Sequence, residues 1–468
     1  MKRCALLVFA LLSIGVALTL GVQWALLLLV CGWGAHEAWF SDHLFYSPAT
    51  DYAYCFDERA EALPVIFADA RLTLSDEAAL GGLDTLILAL SVRSSWLGRF
   101  FDPAIVIETN RPDSAAMRDC QVFERGAQGV RYLNLTGFGG FLRESGLRLQ
   151  GRHCHLGGEP RLWRVKHPDF RQKRVLVVAP HADDAELAAF GLYSQAKDAW
   201  IVTLTAGEIE AEHYERMGLS VPEAARLKGR LRAWDSIAAP IWAGMPAGRS
   251  IQLGYFCMRL SAMREAPGAA VASSRADLCD TRFFRTFNPI RLASDADGVP
   301  SWNNLLADLR EIVLMAKPEV VVLPHSRLDP HPDHVAAHAA VREALMSLAW
   351  RPEALLCYAN HLHDNDRWPM GAAHSGVALP PVFDDSTTLS PWALPLTGPV
   401  QLDKAMALAM MHDLTLPLTF KQRLRRVLQG VIVGRASPPY GENEFFRKAV
   451  RRHEVFWVEN GAIEGKGR

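Results

Sequence analysis

The chain has 468 residues, 50% of them hydrophobic and 22% charged, and its formal net charge at pH 7 is -1. This length suits two or three domains, and this composition argues against long disordered segments. The neutral charge balance also gives no reason to expect a nucleic-acid partner, which would favour a basic protein.

The first predicted element is a transmembrane helix within residues 1–40. The run from Cys4 to Ala35 contains no charged side chain and is rich in Leu, Val and Ala. About 20 apolar residues are enough for a helix to cross a bilayer. Three other interpretations stay open. A cleaved signal peptide would have an apolar core of only about 7–15 residues, a helical hairpin would turn near Gly21, and a buried core helix would show a polar stripe.

Charged residues on either side of this run predict its orientation. Lys2 and Arg3 precede it, whereas Glu37 and Asp42 follow it. The positive-inside rule then keeps the N-terminus in the cytoplasm and places the rest of the chain across the membrane. The expected localisation is that of a single-pass membrane protein, with a periplasmic catalytic domain if the chain is bacterial.

Residues 41–168 predict a small β-sandwich-like accessory domain. Short apolar stretches alternate there with turn-forming stretches such as 110–113 and 157–160, a spacing typical of a sandwich. No pattern in this segment indicates catalysis, and its role, to bind glycan or to hold the active site away from the membrane, stays open. The predicted strands are Thr85–Val92, Ala104–Thr109, Cys120–Glu124, Val130–Asn134, Leu147–Gly151 and Leu162–Val165.

The cysteines suit an oxidising compartment, because six of the eight lie outside the apolar run. Their spacing does not indicate a structural zinc site. Two disulfides are predicted, Cys120 with Cys154 and Cys257 with Cys279. Six ordinary thiols are an equal alternative.

From residue 169 to residue 468 strands alternate with helices, which predicts a Rossmann-like α/β catalytic domain with a parallel sheet covered on both faces. Ligands of such sheets bind beyond the carboxyl ends of the strands. The predicted elements are the strands Val175–Val178, Trp200–Leu204 and Val320–Leu323 and the helices Glu186–Lys197, Pro222–Ile237 and Asn303–Lys317.

Two clusters of histidine and aspartate, residues 179–186 and 324–334, follow predicted strands directly. Zinc hydrolases use three His or carboxylate ligands and keep one position open for water, whose pKa the metal lowers to about 7. A carboxylate beside the metal can take the proton of that water. The adjacent pair Asp183 and Asp184 suits this chemistry, since one can ligate while the other stays free.

These motifs resemble those of one known family. His181-Ala182-Asp183-Asp184 resembles the His-Pro-Asp-Asp signature of the PIG-L/LmbE-like deacetylases, and His331-Pro332-Asp333-His334 matches the second motif of that family. Thr205-Ala206-Gly207-Glu208 is similar to its Thr-x-Gly-Glu turn. The resemblance covers about residues 173–350 and implies a zinc-dependent hydrolase that removes acetyl groups from N-acetylated amino sugars.

The resemblance also implies roles for individual residues. His181, Asp184 and His334 would hold one zinc ion per chain, although His/carboxylate sites also accept other divalent metals such as iron or manganese. Asp183 would be the general base. His331 would stabilise the oxyanion or protonate the leaving amine.

Four further residues are assigned less directly. Asp333 would tune His331 through a hydrogen bond, and Arg226 lies near the position of a substrate-contacting arginine of the family, although Gly229 replaces the glutamate usual three residues later. Glu208 and His325 are predicted on the substrate side. For His325 a buried structural role stays open.

The expected partners are an N-acetylated sugar or glycan and, through the N-terminal helix, a membrane. A membrane-tethered enzyme favours an envelope or lipid-linked glycan such as lipopolysaccharide or exopolysaccharide, while small N-acetylglucosaminides stay open as substrates. Two other functions remain alternatives. One is a metal-dependent phosphohydrolase, which would commonly use two metals about 3.5–4 Å apart, and the other is a glycan-binding protein with a relict site.

Overall fold

The chain folds into a mixed α/β structure, described here by a computed structural model. The described part contains one seven-stranded, one five-stranded, one four-stranded and one two-stranded sheet. The predicted turn at 110–113 lies outside the described residues. The described ranges are 2–75, 80–109, 117–384, 386 and 388–461.

The apolar N-terminal run forms two helices, α1 (Lys2–Thr19) and α2 (Val22–Trp39), of 18 residues each. Gly21 separates them with a φ of 106°, which other residues rarely adopt, so the helix ends there. The prediction of a transmembrane helix is therefore wrong. Among the described residues, no helix combines the length and the apolarity that crossing a membrane requires.

The same finding corrects two expectations that depended on that helix. Neither the single-pass localisation nor the membrane as a partner through the N-terminus is supported. Hydropathy along the run shows its length but not the break at Gly21, and the last turn of α2, which ends at Trp39, contains the polar residues His36 and Glu37. Glu37 is buried, and its carboxylate accepts a hydrogen bond from Arg425 Nε at 2.5 Å.

Two antiparallel sheets share one apolar core between residues 60 and 165. The four-stranded sheet has the order β2-β10-β5-β8 and the five-stranded sheet the order β3-β4-β9-β6-β7. Leu88 of β5 and Ile105 of β6 both belong to this core. The elements of this part of the chain are β1 Cys55–Phe56, β2 Ala60–Leu63, β3 Val65–Ala68, β4 Arg71–Leu74, β5 Thr85–Ser94, β6 Ala104–Thr109, β7 Arg118–Val122, β8 Gln128–Asn134, α3 Gly139–Glu144, β9 Leu147–Arg152 and β10 Cys154–Val165.

The seven-stranded sheet is formed by strands between residues 174 and 460, in the order β13-β12-β11-β14-β15-β18-β17. The first five strands are parallel, and β18 and β17 complete the sheet in antiparallel pairing. The elements of residues 174–460 are β11 Arg174–Ala179, α4 Asp184–Tyr193, β12 Asp198–Thr205, α5 Glu212–Glu215, α6 Val221–Trp242, β13 Ser250–Tyr255, α7 Leu260–Glu265, α8 Trp302–Ala316, β14 Val320–Pro324, α9 Pro332–Met346, β15 Ala354–Tyr358, β16 Thr388–Leu389, β17 Pro391–Pro395, α10 Gly398–Ala409, α11 Phe420–Val433, α12 Glu444–Ala449 and β18 His453–Asn460.

Both faces of this sheet are covered by helices. Side chains alternate between faces along a strand, so Leu176 and Val178 of β11 enter one core while Val175 and Val177 enter the other. Residues of α8 and α9 belong to the first core and residues of α4 and α10 to the second. Strands buried on both faces read as continuous apolar runs, which explains why β11 and β14 could be predicted from the sequence.

The predicted division into residues 41–168 and 169–468 stays a prediction. The two parts are connected by sheet pairing, because β1 pairs in parallel with β16. A hydrogen bond from the Ala393 amide to Thr85 Oγ1, 2.9 Å long, adds a second link.

The predicted disulfides are not present. Cys120, Cys154, Cys257 and Cys279 are free thiols, with Cys257 buried and Cys279 exposed.

A buried ion pair links α10 to β18, and its carboxylate also binds α4, the helix that begins at the candidate site. Lys404 Nζ of α10 lies 2.8 Å from Glu454 Oε1 of β18, and both side chains are almost fully buried. The Glu454 carboxylate also accepts the backbone N–H groups of Gly191 and Leu192, at 2.8 and 3.0 Å. One carboxylate thus holds α4 against the sheet.

Lys404→Met is expected to lower the free energy of unfolding by about 3–5 kcal/mol, because it leaves the Glu454 charge buried without its cation. Chemical denaturation of the purified protein measures this. Lys421→Met, at an exposed lysine of α11, is the matched control and should change stability by less than about 0.5 kcal/mol. Equal stabilities of the two variants would contradict the role given to this pair.

Candidate active site

The candidate site lies at one edge of the parallel sheet, where the carboxyl ends of its five parallel strands meet. The turn after β11 carries His181 and Asp183, the segment after β14 carries Asp329, and α9 begins beside His331. The ends of β12, β13 and β15 supply the remaining wall. This is the edge at which open α/β sheets bind their ligands.

Three side chains from the two predicted motifs converge there. His181 Nδ1 lies 3.1 Å from Asp184 Oδ2, His334 Nε2 lies 3.2 Å from the same oxygen, and the two nitrogens are 3.4 Å apart. Ligand atoms bound at 2.0–2.1 Å around a tetrahedral ion are separated by about 3.3 Å. The donor set and its spacing therefore fit a zinc-sized divalent ion.

Each of these three residues is held by a second polar contact. His181 Nε2 lies 3.3 Å from Asp333 Oδ2, and His334 Nδ1 lies 2.9 Å from Asp329 Oδ2. The Asn360 side-chain amide donates to Asp184 Oδ1 at 2.8 Å. Metal-ligating histidines usually have such a carboxylate partner on their other nitrogen, because it orients the ring.

The charges of this cluster shift its pKa values in opposite directions. Burial would raise the pKa of Asp184, but the adjacent His334 and His181 hold it well below its usual range. Burial would lower the pKa of His334, but Asp184 and Asp329 raise it to about 9. Burial and the charges of neighbouring imidazoles lower the pKa of His331 to about 4. A carboxylate that stays ionised deep in the protein is suited to hold a cation.

Asp183 lies beside this cluster and is bound by an arginine. Arg232 Nη2 of α6 donates to Asp183 Oδ1 at 3.0 Å, while its Nη1 donates to Asp413 Oδ2 at 2.5 Å. Asp413 also pairs with Lys228 at 3.1 Å. Gly207 makes room for this arginine, since its φ is 62° and a Cβ there would lie 2.4 Å from Arg232 Nε.

His331 and Asp333 are close to the cluster but not bonded to each other. The His331 ring centroid lies 4.9 Å from those of both His181 and His334. Asp333 Oδ2 instead accepts the Met258 N–H at 2.6 Å, in addition to its contact with His181. Within the described residues, buried His331 Nδ1 and Asp333 Oδ1 have no hydrogen-bond partner.

The remaining predicted residues take other positions. Glu208 is fully buried and accepts hydrogen bonds from the Cys257 amide and the Ser273 hydroxyl, at 3.0 and 2.7 Å. Arg226 donates to the carbonyls of Ala276 and Asp277, at 2.7 and 2.9 Å. Both residues therefore hold the wall formed by residues 257–277.

His325 is part of the turn after β14. Its Nδ1 accepts the N–H groups of Arg327 and Leu328, both at 3.2 Å, and its ring meets the edge of Trp457 at 5.7 Å. Burial lowers its pKa to about 4. These contacts fit the buried structural role of His325 that the sequence left open.

Asp329, Arg232 and Asp413 carry no assigned role in the sequence analysis. Asp329 lies within the second motif cluster, so its position could have been noticed from the sequence. Asn360 and His361 follow β15 at the same edge of the sheet, which is a weaker signal. Arg232 and Asp413 are far apart along the chain, and no local pattern indicates that they meet.

Three overlapping groups of side chains in the described part of the chain place potential ligand atoms within 4.8 Å of one another. A small cleft lies beside them, lined by Asn360, Leu187, Trp368, Phe445 and Lys448 among others. The three groups are His181 with His331 and His334, His181 with Cys257 and Asp333, and Asp184 with His334 and His361.

Comparison with known proteins identifies the segment that holds these motifs. The family model described as PIG-L, GlcNAc-PI de-N-acetylase, matches residues 176–345. Residues 176–345 form a PIG-L domain. The match confirms the resemblance to the PIG-L/LmbE-like family and supports a de-N-acetylase-like hydrolase in general terms. The PIG-L domain includes His181, Asp184 and His334, whereas Asn360 and His361 lie beyond its matched range.

Three solved structures show distant similarity to this PIG-L-containing chain. GalB, the 4-carboxy-2-hydroxymuconate hydratase of Pseudomonas putida KT2440, is 18% identical with a TM-score of 0.30, covering 55% of this chain and 83% of that chain. Endo-1,4-β-D-xylanase 10B of Clostridium thermocellum is 6% identical with a TM-score of 0.18, covering 65% of this chain and 80% of that chain. Xylanase 10C of Cellvibrio japonicus is 10% identical with a TM-score of 0.16, covering 87% of this chain and 98% of that chain. These TM-scores do not establish a shared fold. No curated protein matches the chain.

Proposed function

We propose that this chain is a metal-dependent de-N-acetylase that hydrolyses the acetamide of an N-acetylated amino sugar. The observation that carries this proposal is the spacing of His181 Nδ1, Asp184 Oδ2 and His334 Nε2, which lie 3.1–3.4 Å apart within the PIG-L domain. The description of that family as a de-N-acetylase of an N-acetylglucosamine lipid supports an amino-sugar substrate.

His181, Asp184 and His334 are the residues that would hold one zinc ion. Such an ion, when bound, supplies Lewis acidity, which polarises a carbonyl oxygen and lowers the pKa of a water molecule. Asp333, Asp329 and Asn360 keep the three donors in place. Their contacts, at 3.3, 2.9 and 2.8 Å, fix one ring nitrogen of each histidine and one oxygen of the aspartate.

Asp183 is the proposed general base, which takes a proton from the attacking water. Its Oδ1 is bound by Arg232 at 3.0 Å, so Oδ2 is the oxygen assigned to the proton transfer. The pairing with Arg232 also fixes the orientation of the carboxylate, as a positioned base requires. We assign Arg232 to positioning, because it acts on the reaction through Asp183.

His331 is the proposed partner of the reacting carbonyl. Its ring stands 4.9 Å from both His181 and His334, measured between centroids. Its buried Nδ1 has no partner among the described residues, so no protein group uses the hydrogen-bonding capacity of this nitrogen. A preplaced donor of this kind stabilises the negative charge that develops on the carbonyl oxygen during amide hydrolysis.

The cleft beside Asn360 is the proposed binding site of the sugar. Trp368 and Phe445 supply apolar surface, and Lys448 supplies one cation. The expectation of an envelope or lipid-linked glycan loses its main argument, since it depended on a membrane-spanning helix. N-acetylhexosamine in a small glycoside or in a glycan is the substrate class that remains.

Metal dependence can be tested with purified full-length protein that is stripped with a chelator and then reloaded with zinc. We expect acetate release from N-acetylglucosaminides to disappear on stripping and to return with one equivalent of zinc per chain. Phosphate release from an aryl phosphate is measured in parallel. Undiminished acetate release without metal would contradict the proposal, and phosphate release with two metals per chain would favour the phosphohydrolase alternative.

Arg232→Met is expected to lower kcat by about 10²-fold with unchanged metal content, because a misplaced base costs this much in a well-oriented site. Arg226→Met is the matched control on the same helix, since Arg226 binds the 276–277 carbonyls instead. Steady-state kinetics with metal analysis distinguishes the two. If kcat falls strongly in Arg226→Met but stays normal in Arg232→Met, Arg226 and not Arg232 has the role at the substrate site.

A further inference from the structure

A fourth imidazole stands at the candidate metal centre. His361, in the loop after β15, has its ring centroid 5.1 Å from that of His334, and the His181 ring lies 5.3 Å from the same ring. A ring nitrogen of His361 belongs to a group with Asp184 and His334 whose ligand atoms all lie within 4.8 Å of one another. His361 is thus as close to His334 as His181 is.

The loop that carries His361 is fixed by the residues of the centre itself. Asp329 Oδ2, which contacts His334 Nδ1, also accepts the backbone N–H groups of Asn360 and His361, at 2.9 and 3.2 Å. The Asn360 side chain donates to Asp184 Oδ1 at 2.8 Å. Two proposed ligands and this loop are therefore held by one network of hydrogen bonds.

The His361 ring is also held on both sides by other rings. It stacks on His331 with centroids 5.3 Å apart and an interplanar angle of 29°, and it meets Phe445 edge to face at 6.0 Å. Within the described residues the ring itself makes no hydrogen bond. A half-buried imidazole that is oriented by packing but lacks a protein partner for its nitrogens is suited to bind a ligand.

We infer that His361 is a further protein ligand of the metal, adding a ring nitrogen to those of His181 and His334 and to the carboxylate of Asp184. This inference rests on the metal centre of the proposed function. Imidazole and carboxylate donors suit zinc. Zinc expands to five-coordination in catalytic sites, so four protein donors still leave room for water or substrate.

The inference changes which parts of the chain build the centre. His361 lies outside the matched range 176–345, so a segment beyond the PIG-L motifs contributes a ligand. Phe445, at the start of α12, packs on this ligand and also lines the cleft. The C-terminal part of the chain is then coupled to both metal binding and the substrate side.

The test measures metal binding on full-length protein without any substrate. We expect His361→Ala to weaken zinc affinity by more than about 100-fold, beyond the loss caused by removing a residue that only supports a ligand, in competition with a chromophoric chelator, and to change the visible absorption of the cobalt-loaded protein. His363→Ala, in the same loop and with its side chain 71% exposed, should match the wild type in both measurements. Wild-type zinc affinity and cobalt absorption in His361→Ala would overturn the inference, as would a wild-type protein that binds no metal.

His361→Cys keeps the test decisive if the alanine variant folds poorly. A thiolate at a ligand position gives the cobalt-loaded protein a thiolate-to-metal charge-transfer band in the near ultraviolet that exceeds the wild-type absorption. Cobalt-loaded His361→Cys that unfolds at the wild-type temperature but shows no such band would overturn the inference. Failure of the proposed function looks different, because the wild type would bind metal through His361 yet release no acetate.

Discussion

Asp183→Asn is expected to lower kcat for acetate release by about 10²–10⁴-fold, the contribution of a positioned general base. The amide keeps the size of the carboxylate but cannot take the proton from water. Metal content should stay at the wild-type level, since the three proposed ligands are unchanged. Steady-state kinetics together with metal analysis of the same preparation measures both quantities.

The Asp183→Asn substitution also removes the charge that pairs with Arg232, so the Arg232→Met variant serves as a reference. If Asp183 only anchors Arg232, the two variants should lose similar activity. If Asp183 is the base, its replacement should cost more than the replacement of its arginine. Near-wild-type turnover in Asp183→Asn would show that another group takes the proton.

His334→Ala is expected to abolish stoichiometric zinc binding and, with it, acetate release. His334 is fully buried and contacts both Asp184 and Asp329, at 3.2 and 2.9 Å. Changes to residues that only support a metal ligand weaken affinity by about 10–100-fold, so loss of a ligand should exceed that range. Equilibrium dialysis with metal analysis gives the affinity.

His338→Ala is the matched control for this variant. His338 lies one turn further along α9, and its Nδ1 contacts the Pro324 carbonyl at 2.9 Å, away from the cluster. This variant should bind zinc with wild-type stoichiometry, even if it is less stable. Unchanged zinc binding in His334→Ala, or loss of zinc in His338→Ala alone, would contradict the ligand set.

The parts of the site that the sequence could predict are those that local pattern determines. The apolar runs of β11 and β14 predict buried parallel strands, and the polar clusters after them must then lie at one edge of the sheet. This reasoning brings the two clusters together, whereas the choice of His181, Asp184 and His334 within them came from the family resemblance. In the structure, one ligand atom from each of these three residues lies 3.1–3.4 Å from the other two.

Contacts between distant segments could not be predicted in this way. The motif places Asp333 two residues from His331, but the turn into α9 points its carboxylate at His181. Arg232 of α6 contacts Asp183, which lies 49 residues earlier in the chain, and Asp413 comes from a segment 181 residues further along the chain. Neither pairing leaves a signature in local composition or spacing.

The N-terminal run shows the opposite difficulty, in which a strong local pattern was misleading. Length and apolarity predicted one spanning helix, yet Gly21 ends α1 and a separate helix follows. A single glycine in a long apolar run weakly indicates a break, because glycine is tolerated within helices at a cost of only about 1 kcal/mol.

The short strands β1–β4, of two to four residues each, were missed because so few residues show no clear alternation of apolar and polar side chains.

The measurement that tests the central claim most directly is the release of acetate and free amine from N-acetylhexosamine glycosides and glycans. It uses zinc-loaded full-length protein with Asp183→Asn as the control. We predict equal amounts of acetate and amine from at least one of these substrates with the wild type, and almost none with the variant. A wild-type protein that carries zinc but releases neither product from any of them would contradict the assignment as a de-N-acetylase of amino sugars.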